Sequence, residues 1–241
     1  MATLTIITRF SRRELFAECR RSLMWQPGIE NVEHLVTCQT DEDENFLSKY
    51  EGIKILRVPQ VDLSRYINNQ EREHHGVYGA RRFAPYNFHL TIAANACTTP
   101  WFGFLDDDDL MKQDRLMKLL WFLKKVPEGQ WVLSQVELLF GAPPRTKLIP
   151  NDADFKMLTK EQKMAWCAVD GHGFWLRNEH KRYLAYGELS GGDFDTGVEL
   201  VKAKQKFVAY PHGPVVQHRA LGHGSSKVMR LSQSEWERQK K

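Results

Sequence analysis

The sequence contains no hydrophobic run of the length that a membrane-spanning helix requires, so we expect no integral membrane segment. Its first residues do not combine a basic segment with a long apolar core, and we therefore expect no signal peptide. Only four cysteines are present, at positions 19, 38, 97 and 167, and they lack the close spacing of metal ligands. These features predict a cytoplasmic protein without structural disulfides, and they are also compatible with peripheral contact at the inner face of a membrane.

No internal repeat and no low-complexity tract divides the 241 residues, so we expect a single domain. The composition, with 42% hydrophobic and 27% charged residues, is that of an ordinary globular protein. The net charge is only +4, and residues 227–241 contribute five basic and two acidic side chains. Such mild basicity suits a phosphate-bearing ligand or a nucleic acid, and it is equally typical of a solvated surface.

Four consecutive aspartates, Asp106 to Asp109, directly follow the apolar segment 101–105. Adjacent carboxylates repel one another, and a single side chain would be enough to cap a helix. The apolar segment predicts a buried strand and residues 110–125 predict a helix, which places the carboxylates at the end of a strand. That edge of an α/β sheet is where such folds bind ligands. Carboxylate oxygens there suit Mn²⁺ or Mg²⁺, and these ions suit a diphosphate.

Apolar segments alternate with amphipathic ones along the chain. In the first half we predict strands at 4–7, 34–38, 53–59 and 101–105, and helices after Ser11, at 87–97 and at 110–125. Ser11 and Glu14 are expected to form a capping box, and residues 40–44 an acidic loop. In the second half we predict strands at 131–140, 169–176 and 207–210, a mobile loop at 145–160 and a helix at 198–206. Strands that alternate with helices indicate an α/β protein with a parallel, doubly wound sheet.

This order of elements, with a strand that ends in four aspartates, resembles the GT-A fold of nucleotide-sugar glycosyltransferases, and family 2 most of all. The opening Ile-Ile-Thr-Arg-Phe is similar to sequences assigned as rhamnosyltransferases in the same superfamily. The resemblance covers roughly residues 3–225. It implies one Rossmann-like domain over 1–241, with a mixed, mostly parallel sheet flanked by helices. About 1–110 would bind the nucleotide sugar, about 111–225 would form the acceptor and catalytic half, and 226–241 would be a basic tail.

The resemblance assigns Asp106-Asp107-Asp108 to the Asp-x-Asp motif, which holds Mn²⁺ or Mg²⁺ on the diphosphate of the donor. Asp106 and Asp108 are then the expected metal ligands, while Asp109 would cap the next helix. A late histidine supplies another ligand in many GT-A enzymes, and the candidates here are His218 and His223. The residues expected to contact the nucleotide sugar are Thr8, Arg9, Asp41, Arg82, Asp106 and Asp107.

A second motif, Gly191-Gly192-Asp193-Phe194-Asp195, resembles the Gly-Glu-Asp segment of inverting family members. The resemblance makes Asp193 the catalytic base, which takes the proton of the attacking acceptor hydroxyl. Asp195 is a competitor for this role. Asp170, His172 and Trp175 are candidates for facing the acceptor, since an aromatic ring can stack on a sugar or a base.

The expected function is metal-dependent, inverting transfer of a sugar from a nucleoside-diphosphate sugar to an acceptor hydroxyl, with a glycan or a glycolipid precursor as acceptor. Hydroxymethylated DNA is an alternative acceptor, because basic side chains can approach a phosphate backbone. A nucleotidyltransferase is a second alternative, although Thr8-Arg9-Phe10-Ser11 lacks the glycines of a phosphate loop. A non-catalytic module that binds metal and nucleic acid is a third, although the chain lacks the EF-hand spacing after its aspartates.

Overall fold

The computed structural model describes residues 2–60, 73–74, 80–81, 87–140, 145–164, 170–186 and 192–219. The strands are β1 (Leu4–Arg9), β2 (Val32–Cys38), β3 (Ile53–Arg57), β4 (Glu73–His74), β5 (Ala80–Arg81), β6 (Trp101–Phe104), β7 (Leu110–Met111), β8 (Trp131–Leu133), β9 (Val136–Phe140), β10 (Arg145–Ile149), β11 (Phe174–Arg177), β12 (Phe207–Ala209) and β13 (Val216–Arg219). The α-helices are α1 (Arg13–Met24), α2 (Asp41–Leu47), α3 (Phe88–Ala96), α4 (Leu116–Leu123), α5 (Asp152–Glu161) and α6 (Gly192–Lys202). Short 3₁₀ helices lie at Ile29–Asn31, Gly171–Gly173 and Asn178–Tyr183.

A seven-stranded sheet in the order β12-β8-β11-β6-β1-β2-β3 forms the centre of the protein. β1 pairs in parallel with both β2 and β6, β3 continues the parallel part, and β12 pairs in parallel with β8. β11 runs antiparallel to both of its neighbours. The prediction of a mixed, mostly parallel sheet flanked by helices is therefore confirmed. Because β1, β2 and β6 run in the same direction, their carboxyl ends meet at one edge, where the aspartates follow β6.

A second sheet in the order β10-β9-β13-β7 brings distant parts of the chain to that edge. β7 begins directly after Asp109 and pairs antiparallel with β13. β13 carries His218 and Arg219 and also pairs in parallel with β9. The small sheet therefore fixes the position of β13 relative to the end of the aspartate run.

The segment after the aspartates differs from its predicted helical conformation. Residues 110 and 111 form β7 because they pair with β13, and α4 begins only at Leu116. Asp109 therefore does not cap a helix, which corrects the role expected for it. Ser11 does not cap α1 either: the N-cap position is Arg12, and Ser11 donates its backbone N–H and its hydroxyl to Asp107.

Two segments expected to be loops are regular structure. Residues 41–47 form α2, because the Thr40 hydroxyl accepts from the backbone N–H of Asp43 and the acidic first turn complements the helix dipole. The expected mobile loop at 145–160 contains β10 and most of α5, which Asn151 caps. The expected strand at 131–140 is divided into β8 and β9, and the helix expected at 198–206 begins earlier, at Gly192.

Trp175 on β11 belongs to the core. Its ring is fully buried, and its indole N–H donates to the Ser134 hydroxyl at 3.0 Å. A Cβ on Gly103 would lie only 2.4 Å from this ring, so β6 accepts the indole because it has a glycine at this position. A fully buried ring cannot stack on an acceptor, which corrects the acceptor role expected for Trp175.

The cysteines that the structure describes, Cys19, Cys38 and Cys97, are buried and free, as expected for a chain without structural disulfides. Within the described ranges, every helix is too short or too polar to cross a membrane.

His34 on β2 is buried in a neutral form beneath the candidate site. Arg20 donates to its Nδ1 at 3.1 Å, so Nε2 carries the proton and donates to Thr8 Oγ1 at 2.8 Å. The Thr8 hydroxyl in turn donates to the carbonyl of Leu105 at 2.7 Å. This chain of hydrogen bonds connects α1 to the residue that precedes the aspartates. Burial, together with the charge of Arg20, lowers the pKa of His34 to about 3.

His34 is expected to make the protein sensitive to acid. The pKa of His34 is lower in the folded than in the unfolded chain. The contribution of neutral His34 to the free energy of unfolding is therefore fully present above about pH 6.5 and is lost as the pH falls towards 3. Between pH 7 and pH 5 the loss is about 2 kcal/mol. Urea denaturation of wild type and His34→Gln at both pH values measures it. Equal losses of unfolding free energy in the two proteins would refute this assignment.

Candidate active site

The four aspartates are buried together at the carboxyl end of β6, and each has a different set of partners. Asp107 and Asp109 are fully buried, and Asp106 and Asp108 nearly so. Four buried negative charges require compensation. The compensation comes from Arg9 and Arg12 on one side, and from His172, His218 and the Arg219 backbone on the other.

Asp106 forms an ion pair with Arg9, which ends β1 and also donates to Asn87 Oδ1 at 2.7 Å. Burial alone would raise the pKa of Asp106, but the Arg9 guanidinium and the imidazoles of His172 and His218 outweigh it. The pKa is therefore held well below its ordinary value. Asp106 is consequently an anion, and Arg9, expected to contact the nucleotide sugar, is engaged by this carboxylate.

The Asp107 carboxylate binds the two residues that lead into α1, Ser11 and the N-cap Arg12. Its Oδ2 accepts from the backbone N–H groups of Ser11 and Arg12, both at 2.5 Å, and from the Ser11 hydroxyl at 3.1 Å. These N–H groups would otherwise be available to an anionic ligand. Burial is the main cause of the raised pKa of Asp107. Asp107 therefore fixes α1 to the end of β6, which differs from the nucleotide contact expected for it.

Asp108 accepts from Arg12 Nη1 at 2.5 Å. Burial and the neighbouring charges of Asp109 and Asp106 raise its pKa to about 6. The Oδ1 atoms of Asp106, Asp107 and Asp108 are buried and have no hydrogen-bond partner in the part of the chain that the structure describes. That of Asp107 lies 3.3 Å from Arg12 Nε, whereas Asp106 and Asp108 have no such neighbour at Oδ1 among the described ion pairs. Each of these carboxylates therefore keeps one oxygen for a ligand, although an arginine holds the other.

Asp109 is the aspartate that the histidines surround. His218 Nδ1 lies 3.0 Å from its carboxylate, His172 Nε2 lies 3.2 Å away, and the backbone N–H of Arg219 donates to it at 3.1 Å. The rings of His172 and His218 stack with centroids 5.3 Å apart. One ligand atom from each of Asp109, His172 and His218 lies within 4.8 Å of the others, a spacing that a metal ion could bridge.

The surroundings favour the protonated form of both imidazoles, and a metal ion bound to either ring would replace the proton on the ligating nitrogen. Burial alone would lower their pKa values, but the surrounding carboxylates outweigh it. Asp109 is the main cause that raises the pKa of His218 to about 9, and Asp170 and Asp109 raise that of His172 well above its ordinary value. Arg219 extends the same arrangement, since its Nε donates to the carbonyl of Asp108 at 2.5 Å and its Nη1 pairs with Glu18.

The Gly171–Gly173 turn positions His172. The Asp170 carboxylate accepts from the His172 backbone N–H at 3.0 Å and from Nδ1 at 2.6 Å. The two histidine charges hold the pKa of Asp170 well below its ordinary value, although burial opposes them. These hydrogen bonds join Asp170 to His172, whose Nε2 contacts Asp109, whereas the sequence led us to expect both residues to face the acceptor.

Gly173→Ala is expected to displace His172. A Cβ on Gly173 would lie 2.4 Å from the backbone oxygen of Ser134, and a backbone atom cannot move aside as a flexible side chain can. We expect a loss of unfolding free energy of about 1–3 kcal/mol. Denaturation in urea measures it, and a stability equal to that of wild type would show that the turn has room for a side chain.

Asp193 lies beside the same turn, at the start of α6. Its Oδ2 accepts from the backbone N–H of Gly171 at 3.3 Å. The Tyr186 hydroxyl is a close neighbour of the same turn, since a Cβ on Gly171 would lie 2.4 Å from Tyr186 Oη and 3.3 Å from Asp193 Cβ. Burial and the charges of Asp193, Asp170 and Asp106 raise the pKa of Tyr186 well above its ordinary value. The structure therefore brings Asp193 to the same edge as the aspartate run, while Asp195 is partly exposed in the first turn of α6.

The remaining predicted site residues lie in three kinds of place. Thr8 is fully buried under the aspartates and bonded as described above. Asp41 is on the surface, where it pairs with Arg57 at 3.0 Å. Arg82 and His223 lie outside the described residues. Sequence reasoning missed Arg12 and Tyr186; the signal for Arg12 was its place directly after β1, at the edge where the aspartates lie.

Comparisons with known proteins support the fold. No protein-family model matches the chain, and no curated protein matches it. TarS from S. aureus is similar in structure at 16% identity and a TM-score of 0.55, over 96% of this chain and 39% of TarS. TarS 1–349 in complex with UDP is similar at 16% identity and a TM-score of 0.60, over 91% of this chain and 60% of the TarS chain. The complex of TarS 1–349 with UDP-GlcNAc is similar at 14% identity and a TM-score of 0.58, over 91% of this chain and 58% of the TarS chain.

The chain thus spans less than two thirds of the length of these TarS structures. Identities this low carry information about architecture only. The chain has the mixed α/β, Rossmann-like fold that TarS also has.

Proposed function

We propose that this protein is a metal-dependent, inverting glycosyltransferase that takes its sugar from a nucleoside-diphosphate sugar. The observation that carries the proposal is the position of Asp193. Its carboxylate accepts from the backbone N–H of Gly171, and the next residue, His172, contacts Asp109 of the aspartate run. A base and a diphosphate site at one edge of the sheet are what transfer to a hydroxyl requires. TarS, which has the same fold, has been crystallised with UDP and with UDP-GlcNAc, and we propose a uridine diphosphate sugar as the first donor to test.

The donor set fits a divalent cation. Asp109, His172 and His218 offer ligand atoms within 4.8 Å of one another, and Asp106 and Asp108 each keep a buried oxygen without a hydrogen-bond partner among the described residues. Carboxylate and imidazole ligands suit Mn²⁺, and carboxylates suit Mg²⁺. When bound, such an ion supplies Lewis-acid stabilisation to the departing diphosphate. The metal ligands predicted from the sequence, Asp106, Asp108 and His218, remain in the proposal, with Asp109 added, while His223 lies outside the described residues.

The side chains of this protein then have distinct roles. The Asp193 carboxylate accepts the proton of the acceptor hydroxyl as that oxygen attacks the anomeric carbon. Arg9 and Arg12 hold Asp106 and Asp108 at the edge of the sheet, and Asp107 keeps α1 in place. We propose a glycan or a glycolipid precursor as the acceptor, with hydroxymethylated DNA as the second class to test.

The residues that lead into α1 weigh against nucleotidyl transfer. Enzymes that bind a triphosphate beside the first strand use backbone N–H groups at this position. Here Asp107 occupies the N–H groups of Ser11 and Arg12. A carboxylate there repels a phosphate, so the geometry favours the other end of the run, near the histidines, for a diphosphate.

Calorimetric titration of UDP-GlcNAc and other nucleotide sugars, with Mn²⁺, with Mg²⁺ or with EDTA, tests the proposal. We expect one nucleotide sugar to bind in the presence of a metal ion, and its affinity to fall at least about tenfold in EDTA. Release of the nucleoside diphosphate is then measured with glycan acceptors and with hydroxymethylated DNA. Absence of binding by every nucleotide sugar would overturn the proposal, and binding without turnover on any acceptor would favour a non-catalytic module.

A further inference from the structure

We infer that His172 is a metal ligand that Asp170 positions, and that this pair makes the site prefer Mn²⁺ over Mg²⁺. The inference rests on the metal site of the proposed function. It assigns His172 of that donor set to the ion through Nε2 and adds the positioning role of Asp170 and a selectivity. Asp170 is a positioning residue in this account, because it acts through the imidazole of His172.

The geometry of His172 is the first support. Its Nδ1 lies 2.6 Å from Asp170 Oδ1, which also accepts from the His172 backbone N–H at 3.0 Å. One oxygen therefore fixes both the ring and the backbone. The opposite nitrogen, Nε2, lies 3.2 Å from Asp109 Oδ2 and 3.6 Å from Asp106 Oδ2. A histidine held by a carboxylate through one nitrogen, with the other directed at carboxylates, has the arrangement typical of histidines that bind metals.

The surroundings of the ring are the second support. A side chain on Gly173 would collide with the Ser134 backbone, and one on Gly171 with the Tyr186 hydroxyl, so the chain passes close to its neighbours on both sides of His172. The His172 and His218 rings stack on each other, and both contact Asp109. The two imidazoles come from β13 and from the turn before β11, and hydrogen bonds to Asp109 and Asp170 fix both.

The chemistry of the ligands gives the selectivity. Mg²⁺ takes oxygen ligands in a strict octahedron and keeps several waters, so imidazole nitrogens contribute little to its binding. Imidazole suits the transition metals better, and Mn²⁺ combines this tolerance with an affinity for carboxylates. With His172 as a second nitrogen ligand beside His218, the affinity of the site for Mn²⁺ rises more than its affinity for Mg²⁺. Removing His172 should therefore weaken Mn²⁺ selectively.

The test measures metal binding to the full chain without turnover. Free Mn²⁺ is followed by electron paramagnetic resonance, and Mg²⁺ affinity is measured by its competition with Mn²⁺. We expect His172→Asn to weaken Mn²⁺ about 10- to 100-fold and Mg²⁺ by less than about threefold. Asp170→Asn, which keeps the shape of the side chain, should weaken Mn²⁺ about tenfold. His212→Asn is the matched control, because His212 lies on the surface outside this cluster.

The outcomes separate this inference from the proposed function. Unchanged Mn²⁺ affinity in His172→Asn, or equal losses for Mn²⁺ and Mg²⁺, would overturn the inference and leave the metal site of the proposed function intact. If wild type binds a nucleotide sugar but neither ion, the metal site and the inference both fail, while sugar transfer survives. Thermal unfolding of each variant in EDTA shows whether it is folded. If His172→Asn does not fold, the Mn²⁺ and Mg²⁺ affinities of Asp170→Asn test the inference instead.

Discussion

Replacement of Asp193 by asparagine is expected to lower the rate of sugar transfer by about 10²- to 10⁴-fold, with an unchanged Kd for the nucleotide sugar. Asparagine keeps the shape of the side chain and can still accept from the backbone N–H of Gly171. It cannot take the proton of an acceptor hydroxyl near neutral pH. The change therefore removes a proton acceptor and leaves the donor site, whose carboxylates lie in the aspartate run.

Asp195→Asn is the matched control for this experiment. Asp195 lies in the same turn of α6 and is partly exposed. We expect the variant to keep transfer within about tenfold of wild type. If sugar transfer is unchanged in Asp193→Asn and abolished in Asp195→Asn, the catalytic base is Asp195 and not Asp193. A large loss of nucleotide-sugar affinity in Asp193→Asn would show that this residue belongs to the donor site.

Replacement of Asp109 by asparagine is expected to have a second large effect, on both metal binding and stability. Asp109 is the buried charge opposite His172 and His218. Removing it leaves two imidazoles without their common partner, and breaking a buried pair in this way costs about 3–5 kcal/mol. We also expect Mn²⁺ affinity to fall at least about 100-fold, since even residues that only support a ligand contribute 10- to 100-fold.

Urea denaturation in EDTA and Mn²⁺ titration measure the two effects of Asp109→Asn. Asp41→Asn is the control, because Asp41 is an exposed aspartate that pairs only at the surface. If Asp109→Asn binds Mn²⁺ with the affinity of wild type, we would conclude that Asp106 and Asp108 bind the ion without Asp109. Unchanged stability in EDTA would mean that the histidines do not depend on this carboxylate.

The edge of the sheet that holds the site could be predicted from the sequence. A run of carboxylates after a buried apolar segment indicates the end of a strand, and β6 ends at Phe104, directly before Leu105 and the aspartates. The mixed sheet follows from alternating elements in the same way. Both predictions depend on residues that are neighbours in the chain, for which periodicity is informative.

The division of roles among the aspartates could not be predicted in this way. Asp109 meets His172 and His218 because β7 pairs with β13 and because the Gly171–Gly173 turn precedes β11. These contacts join residues separated by more than sixty positions, and no local pattern encodes them. The start of the helix expected at 110–125 was wrong for the same reason: pairing with β13 makes residues 110 and 111 a strand, and the helix begins only at Leu116.

Crystals grown with UDP and Mn²⁺, and measured at a wavelength where manganese scatters anomalously, test the central claim most directly. We predict an anomalous peak within bonding distance of Asp109 and His218, with the diphosphate on the ion and Asp193 facing the open side of the nucleotide. A nucleotide at the first turn of α1, or a manganese peak away from the aspartate run, would contradict the account.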